Sequence, residues 1–156
     1  MNIGMVFGAV FTLILISAIV VFAFYVINGM QETQIYAQIE DAKDNLETAV
    51  TNHYYNTGTG STATYTLSIP SGSRFCFIDP SDPSSNMAEG WNPNDIVPSM
   101  IINNEYNLWI YYPQSIGDQD GKKISHMNVS ANFCSVNGAK LKLENLGNRV
   151  EVSPKT

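Results

Sequence analysis

Two cysteines, two histidines, a spaced pair of aspartates and one glycosylation sequon are the residues of this 156-residue chain whose types and spacing could do chemistry. Cys76 lies between Phe75 and Phe77, and Cys134 follows Phe133, each in a strand-like segment. They are either two buried thiols or one disulfide, and an oxidising compartment would favour the bridge. A bridge needs Cα atoms within about 7 Å, so it would place Arg74–Ile78 beside Asn132–Val136. His53 and His126 fall in different predicted elements, with no nucleophile and carboxylate signature around them. His53 reads as the end of a helix, where a cation suits the C-terminus. In Asp118-Gln119-Asp120-Gly121, alternate carboxylates before a glycine could hold a hard cation through oxygen. The later acidic ligand of a calcium loop is missing, so Asp118 and Asp120 read as a solvated turn, as do Asp79, Asp82 and Asp95. Asn128-Val129-Ser130 is an acceptor for N-glycosylation. There is no glycine-rich phosphate loop and no Cys/His set with zinc spacing. These residues point to no enzyme active site, no cofactor and no resident metal.

The elements that position them begin with an uncharged segment. The first 31 residues contain no Asp, Glu, Lys or Arg, and Ile3–Ile27 is apolar apart from Thr12, Ser17 and small glycines. About 20 apolar helical residues cross a hydrocarbon core, so this stretch is long enough to span with some tilt. A buried helix of a soluble protein would keep a polar face, and a cleaved secretory signal would carry a basic n-region and a shorter apolar core. Neither pattern is seen. No basic residue flanks the span before Lys43, so the positive-inside rule is silent on orientation. The cysteine pair and the sequon both favour an exterior C-terminal part. A net charge of −6 and a pI near 4.7 argue against nucleic acid and against electrostatic docking on anionic lipid.

Beyond Asn28-Gly29 the pattern becomes amphipathic with no proline to stop the helix. Ile35, Ile39, Ala42, Leu46, Ala49 and His53 share one helical face, opposite Glu32, Glu40, Asp41, Lys43, Asp44 and Glu47. The simplest reading is one helix from Ile3 to about Tyr54, ~75–80 Å long at 1.5 Å per residue. A short coiled coil is the alternative for the stripe, but it spans too few heptads and lacks a firm e/g charge pattern. Three segments follow: residues 1–30 as a transmembrane or filament-core helix, 31–55 as its amphipathic continuation packing on a head, and 56–156 as an exterior β-rich head.

Asn56–Thr62 is a Gly/Thr-rich breaker. Thr64–Ile69, Arg74–Ile78 and Tyr106–Tyr112 read as strands, and Asp79–Asn104 as a long surface excursion pinned by Trp91. Asn132–Val136 and Ala139–Leu143 flank Asn137-Gly138, a type I′ hairpin signal, and Arg149–Val152 completes an antiparallel meander. Leu141, Leu143, Val150 and Val152 are its candidate core. The expected fold class is α+β: one long N-terminal helix, hydrophobic then amphipathic, followed by a small antiparallel sheet.

This plan of a charge-free helix, an amphipathic continuation and a β-rich head with a late cysteine resembles the type IV pilin-like proteins. Bacterial members carry a Glu near the start of the helix; here position 5 is Met5, which looks more like the archaeal pilins and archaellins. The resemblance implies a cell-surface, extracellular filament, a homo-oligomer whose hydrophobic helices leave the membrane and bundle as the core. Its assembly face would run through Ile3, Val6, Val10, Leu13, Ile14, Ser17, Val20, Val21 and Phe24. Gly4 and Gly8 form a small-xxx-small pair that permits close helix approach. Ile35, Ile39, Ala42, Leu46 and Ala49 would pack on the head, and Asn128 would be the place for glycan. The alternative is a single-pass protein with an exterior binding or envelope-complex domain.

Overall fold

The computed structural model describes residues 3–83 and 98–155. Helix α1 runs from Ile3 to Asn56, through Gly29, because nothing between the apolar and amphipathic stretches breaks it. The chain divides into two compact units between Ala37 and Gln38, and α1 contributes to both.

The second unit holds β1 (Thr62–Thr66), β2 (Arg74–Phe77), α2 (Pro98–Asn104), β3 (Leu108–Tyr111), β4 (Gln119–Lys122), β5 (Met127–Val129), β6 (Phe133–Ser135), β7 (Lys140–Asn145) and β8 (Val150–Pro154). The fold class is α+β, as expected. The strands form two four-stranded sheets, ordered β1-β7-β8-β5 and β4-β3-β2-β6. Two features depart from a single antiparallel meander. β5 pairs with β8 in parallel, and β6 and β7, which flank Asn137-Gly138, belong to different sheets. A turn forms there, with Gly138 at φ 81° and the Ala139 N–H donating to Val136 O, but it is not the expected type I′, because Asn137 does not take the positive φ that type requires. A turn signal fixes local backbone and leaves open which partner each flanking strand takes. Here β6 takes β2, with Cys76 opposite Cys134, while β7 takes β1 and β8.

α2 occupies the end of the segment expected to be irregular; Trp91 and Asp95 lie outside the described residues. Apolar residues on α1 and on the strands supply the core: Ile39, Leu46 and Val50 from the helix, and Phe75, Phe77, Leu108, Ile110, Leu141, Val150 and Val152 from the sheets. A cluster of Cys76, Ile78, Ile101 and Trp109 sets Ile101 of α2 against β2 and β3. Gly121 is needed for this seating: a Cβ there would lie 2.9 Å from Trp109 Cε3 and closer still to the Tyr106 ring. That packing accounts for the glycine once read as part of a cation loop.

Candidate functional site

Every described side chain of α1 from Val6 to Gln34 is exposed, although most are large and apolar. Of the expected assembly face, Val6, Val10, Leu13, Ile14, Ser17, Val20, Val21 and Phe24 all lie in this exposed stretch; the Ile3 side chain lies outside the described ones. Leaving an apolar side chain in water forfeits about 1.5–3 kcal/mol. A handful therefore equals the ~5–15 kcal/mol that holds an ordinary domain together. At 1.5 Å per residue, Val6–Ile27 is ~33 Å long, against ~30 Å of hydrocarbon. The helix is thus long and apolar enough to cross a membrane.

The threonine and serine hydroxyls along it are satisfied locally. Thr12 Oγ1 donates to Gly8 O at 2.8 Å, Ser17 Oγ to Leu13 O at 2.8 Å, and Thr33 Oγ1 to Gly29 O at 3.1 Å. Each hydroxyl closes on the carbonyl four residues back, so it presents no unmet hydrogen bond to an apolar neighbour. Near the end of this stretch, Gly29 leaves a notch between Val26, Met30 and Thr33, part of a shallow groove of about 400 Å³.

The amphipathic stripe changes character within the second unit. Ile39, Ala42 and Leu46 are buried, Ala49 and Ile35 only half-buried, and Val50 joins them as a fully buried residue absent from the expected set. Lys43, expected on the solvent face, is only 4% exposed. Its ammonium bonds Asp120 at 2.7 Å and Glu40 at 2.5 Å. Burial opposes the charge, but the bonds to Asp120 and Glu40 and their charges outweigh it, holding the Lys43 pKa above its usual value. Lys122, between Asp44 and Glu47 at 2.9 and 2.8 Å, is raised for the same balance of reasons. Asp120 is thus an ion-pair partner within β4, and Asp118, just before that strand, accepts at Oδ1 from the Gln119 backbone N–H. Asp118 stays exposed at the edge of a turn, whereas Asp120 is drawn into the ion pair. Among the described residues no group of three or more His, Cys, Asp and Glu could hold a metal.

Cys76 and Cys134 form a disulfide across β2 and β6, with Cα atoms 3.9 Å apart. Closing the 58-residue separation restricts the unfolded chain by about 4 kcal/mol. His53 is buried near the end of α1 with Nε2 3.2 Å from the Ser61 carbonyl, whereas exposed His126 stacks on Tyr54, ring centroids 3.9 Å apart. Asn128 sits half-buried on β5, an edge strand.

No family model, curated protein or solved structure matches the chain. Its own geometry must therefore carry the functional reading. Three buried asparagines that sequence reasoning missed hold the second unit together. Asn145 Nδ2 reaches the carbonyls of His53, Tyr54 and Thr57 at 3.0–3.1 Å, capping α1 from β7. Asn107 clamps Ile124 and Met127, and Asn132 binds Asp79 and Asp82. Asn107 and Asn132 fall in segments that read as strands, and nothing local marks them or Asn145 for burial, because these partners lie 17 or more positions away.

Proposed function

We propose that the chain is a structural, non-catalytic subunit of an extracellular pilus-like filament, held in the membrane by α1 before assembly. The observation that carries this reading is the exposed, charge-free length of α1, whose Thr12 and Ser17 hydroxyls bond back to its own carbonyls. Such a surface is as well accommodated by neighbouring copies as by lipid. Burial in a bundle of like helices removes the same apolar area from water, at about 25 cal/mol per Å², so passage from membrane to filament is near neutral. Association in lipid then depends on close packing, which Gly4, Gly8 and the Gly29 notch permit. The disulfide suits a head on the oxidising side of the membrane.

Electron microscopy of sheared cell-surface material, with mass spectrometry of its subunits, tests the proposal. Filaments containing this chain, with a helical core built from residues 3–30, are expected. Recovery of the protein only as dispersed membrane monomers would overturn the filament and leave the single-pass anchor.

A further inference from the structure

A sheet edge is a row of unpaired backbone N–H and C=O groups, and folds blunt it with short strands, charges, proline or bulges. Of the four edges of the two described sheets, three are blunted. β5 and β6 have three residues each, and the Met127 carbonyl of β5 is taken by Asn107 Nδ2 at 3.0 Å. β4 carries Asp120 and Lys122, both ion-paired to α1. β1 has none of these devices. Its five residues, Thr62-Ala63-Thr64-Tyr65-Thr66, are uncharged, lack proline and pair with β7 without a bulge. The glycines before it, Gly58 and Gly60, have nothing within 4 Å of where a Cβ would stand, so no neighbour crowds its start.

The register with β7 fixes which groups of β1 face outward. The Asn145 N–H donates to Ser61 O at 3.0 Å and the Leu67 N–H to Ala139 O at 2.9 Å, so along this strand the odd-numbered residues bond β7. Bonded and non-bonded residues alternate in an antiparallel ladder, so the N–H and C=O of Thr62, Thr64 and Thr66 point to the open edge. Their side chains are exposed as well, whereas Ala63 and Tyr65, opposite Leu143 and Leu141, are half-buried on the core face. The exposed Lys155 ammonium reaches Thr64 Oγ1 at 2.9 Å on the outer face and leaves the Thr64 backbone free.

We propose that β1 pairs antiparallel with β1 of a second copy, Thr64 opposite Thr64, joining two sheets across a two-fold axis. The strand is complementary to itself in this register. Thr62 meets Thr66, so every outward N–H and C=O of the three threonines finds a partner. On the outer face threonine meets threonine, a pair that exchanges hydroxyl bonds. On the core face Tyr65 meets Ala63, a large side chain against a small one. No residue of β1 is charged, so no like charges oppose each other along the seam. The near-palindromic order Thr-Ala-Thr-Tyr-Thr singles out a second copy, since a foreign strand gains nothing from symmetry about Thr64. The seam is short beside the ~1,200–2,000 Å² of stable interfaces, so the pairing is weak, with a Kd on the order of 0.1–1 mM. The inference concerns the second unit and holds whether or not the chain polymerises through α1.

The test is cysteine cross-linking of the full-length protein in phosphocholine micelles at about 1 mM, under mild oxidation, with linked peptides identified by non-reducing mapping. In the proposed register Thr64 faces its own copy at ~5.5 Å between Cα atoms, inside the disulfide range, whereas Thr62 lies more than about 13 Å from the second Thr62. Thr64→Cys should therefore link to itself, and Thr62→Cys or Thr66→Cys alone about tenfold less. An equal mixture of those two should link to each other. Thr64→Pro, added to both, removes an outward N–H that β7 does not use, so it should abolish the mixed link while the thermal transition of the second unit remains. The positional pattern decides even where the proline variant fails to fold. Clustering through α1 would link all three positions alike. That uniform pattern, no link at any position, or a mixed link that survives Thr64→Pro would overturn the proposal, and none of them decides whether the chain forms filaments.

Discussion

Leu13 and Leu46 lie on the same helix and have the same propensity and the same apolar surface, yet Leu13 is 65% exposed and Leu46 is 0% exposed. Around Leu46 the helix carries charge on one side and an apolar stripe on the other, and the strands of the second unit cover the stripe. Around Leu13 there is no charge on any side, and no described residue of the chain covers it. The two regions solve the same problem differently. One buries its apolar area within the chain, and the other presents apolar area that no described residue of the chain buries. Helix formation is common to both, so what distinguishes them is the distribution of charge around the axis.

The same substitution placed in each region tests that contrast. Leu46→Asp puts an unpaired carboxylate into a filled core and should destabilise the second unit by at least ~4 kcal/mol, seen as loss of its cooperative thermal transition. An unchanged transition would mean that the stripe around Leu46 is not core. Leu13→Asp should leave that transition in place, because no core residue is touched. It should instead weaken membrane insertion by about 2.5–3.5 kcal/mol, measured as the fraction of chain integrated in a translocation assay. Equal integration of the variant and the parent would remove the membrane reading of residues 3–27.

A smaller effect sharpens the picture of the second unit. The Lys43 pKa is raised in the folded state, so its ion pairs contribute fully below the unfolded value of 10.5 and are lost as pH climbs through the higher folded value. Lys122 acts in the same direction, and burial also raises the Tyr65 and Tyr112 hydroxyls, whose ionisation above pH 10.0 works against the fold. Stability should therefore be flat on the neutral side and fall in strong alkali. Lys43→Met leaves Asp120 without its buried partner, costing about 1–3 kcal/mol near neutrality, and should make the alkaline fall shallower. If denaturant titrations of the two proteins at pH 7 and pH 11 differed by the same amount, the ion pair would have no part in the pH dependence.

Much of the helix and some strands were legible from residue order. Arg74–Ile78 beside Asn132–Val136 followed from asking what a bridge between Cys76 and Cys134 would require, and the strands do pair at that register. β4 and β5 were missed because Gln119–Lys122 carries no apolar residue and Met127–Val129, although it alternates, is only three residues long. α2 was hidden in a stretch rich in Pro, Asp, Ser and Asn. Lys43 was placed on the solvent face by its charge alone, since the partner that makes its burial tolerable, Asp120, lies 77 positions away.

By itself the sequence determined that residues 3–27 form an uncharged apolar helix, that the helix continues with one apolar face, and that strands follow. These properties depend on neighbours within a few positions, where backbone sterics and side-chain period act directly. Only the tertiary structure decided that β6 joins β2 while β7 joins β1, that β5 lies parallel to β8, and that Lys43, Asn107, Asn132 and Asn145 are buried. It also decided that β1, paired with β7 alone, is left at an edge. Each of these is a pairing between distant positions, and a polar residue is buried only where a remote partner meets its hydrogen bonds, a condition that residue type and spacing do not encode.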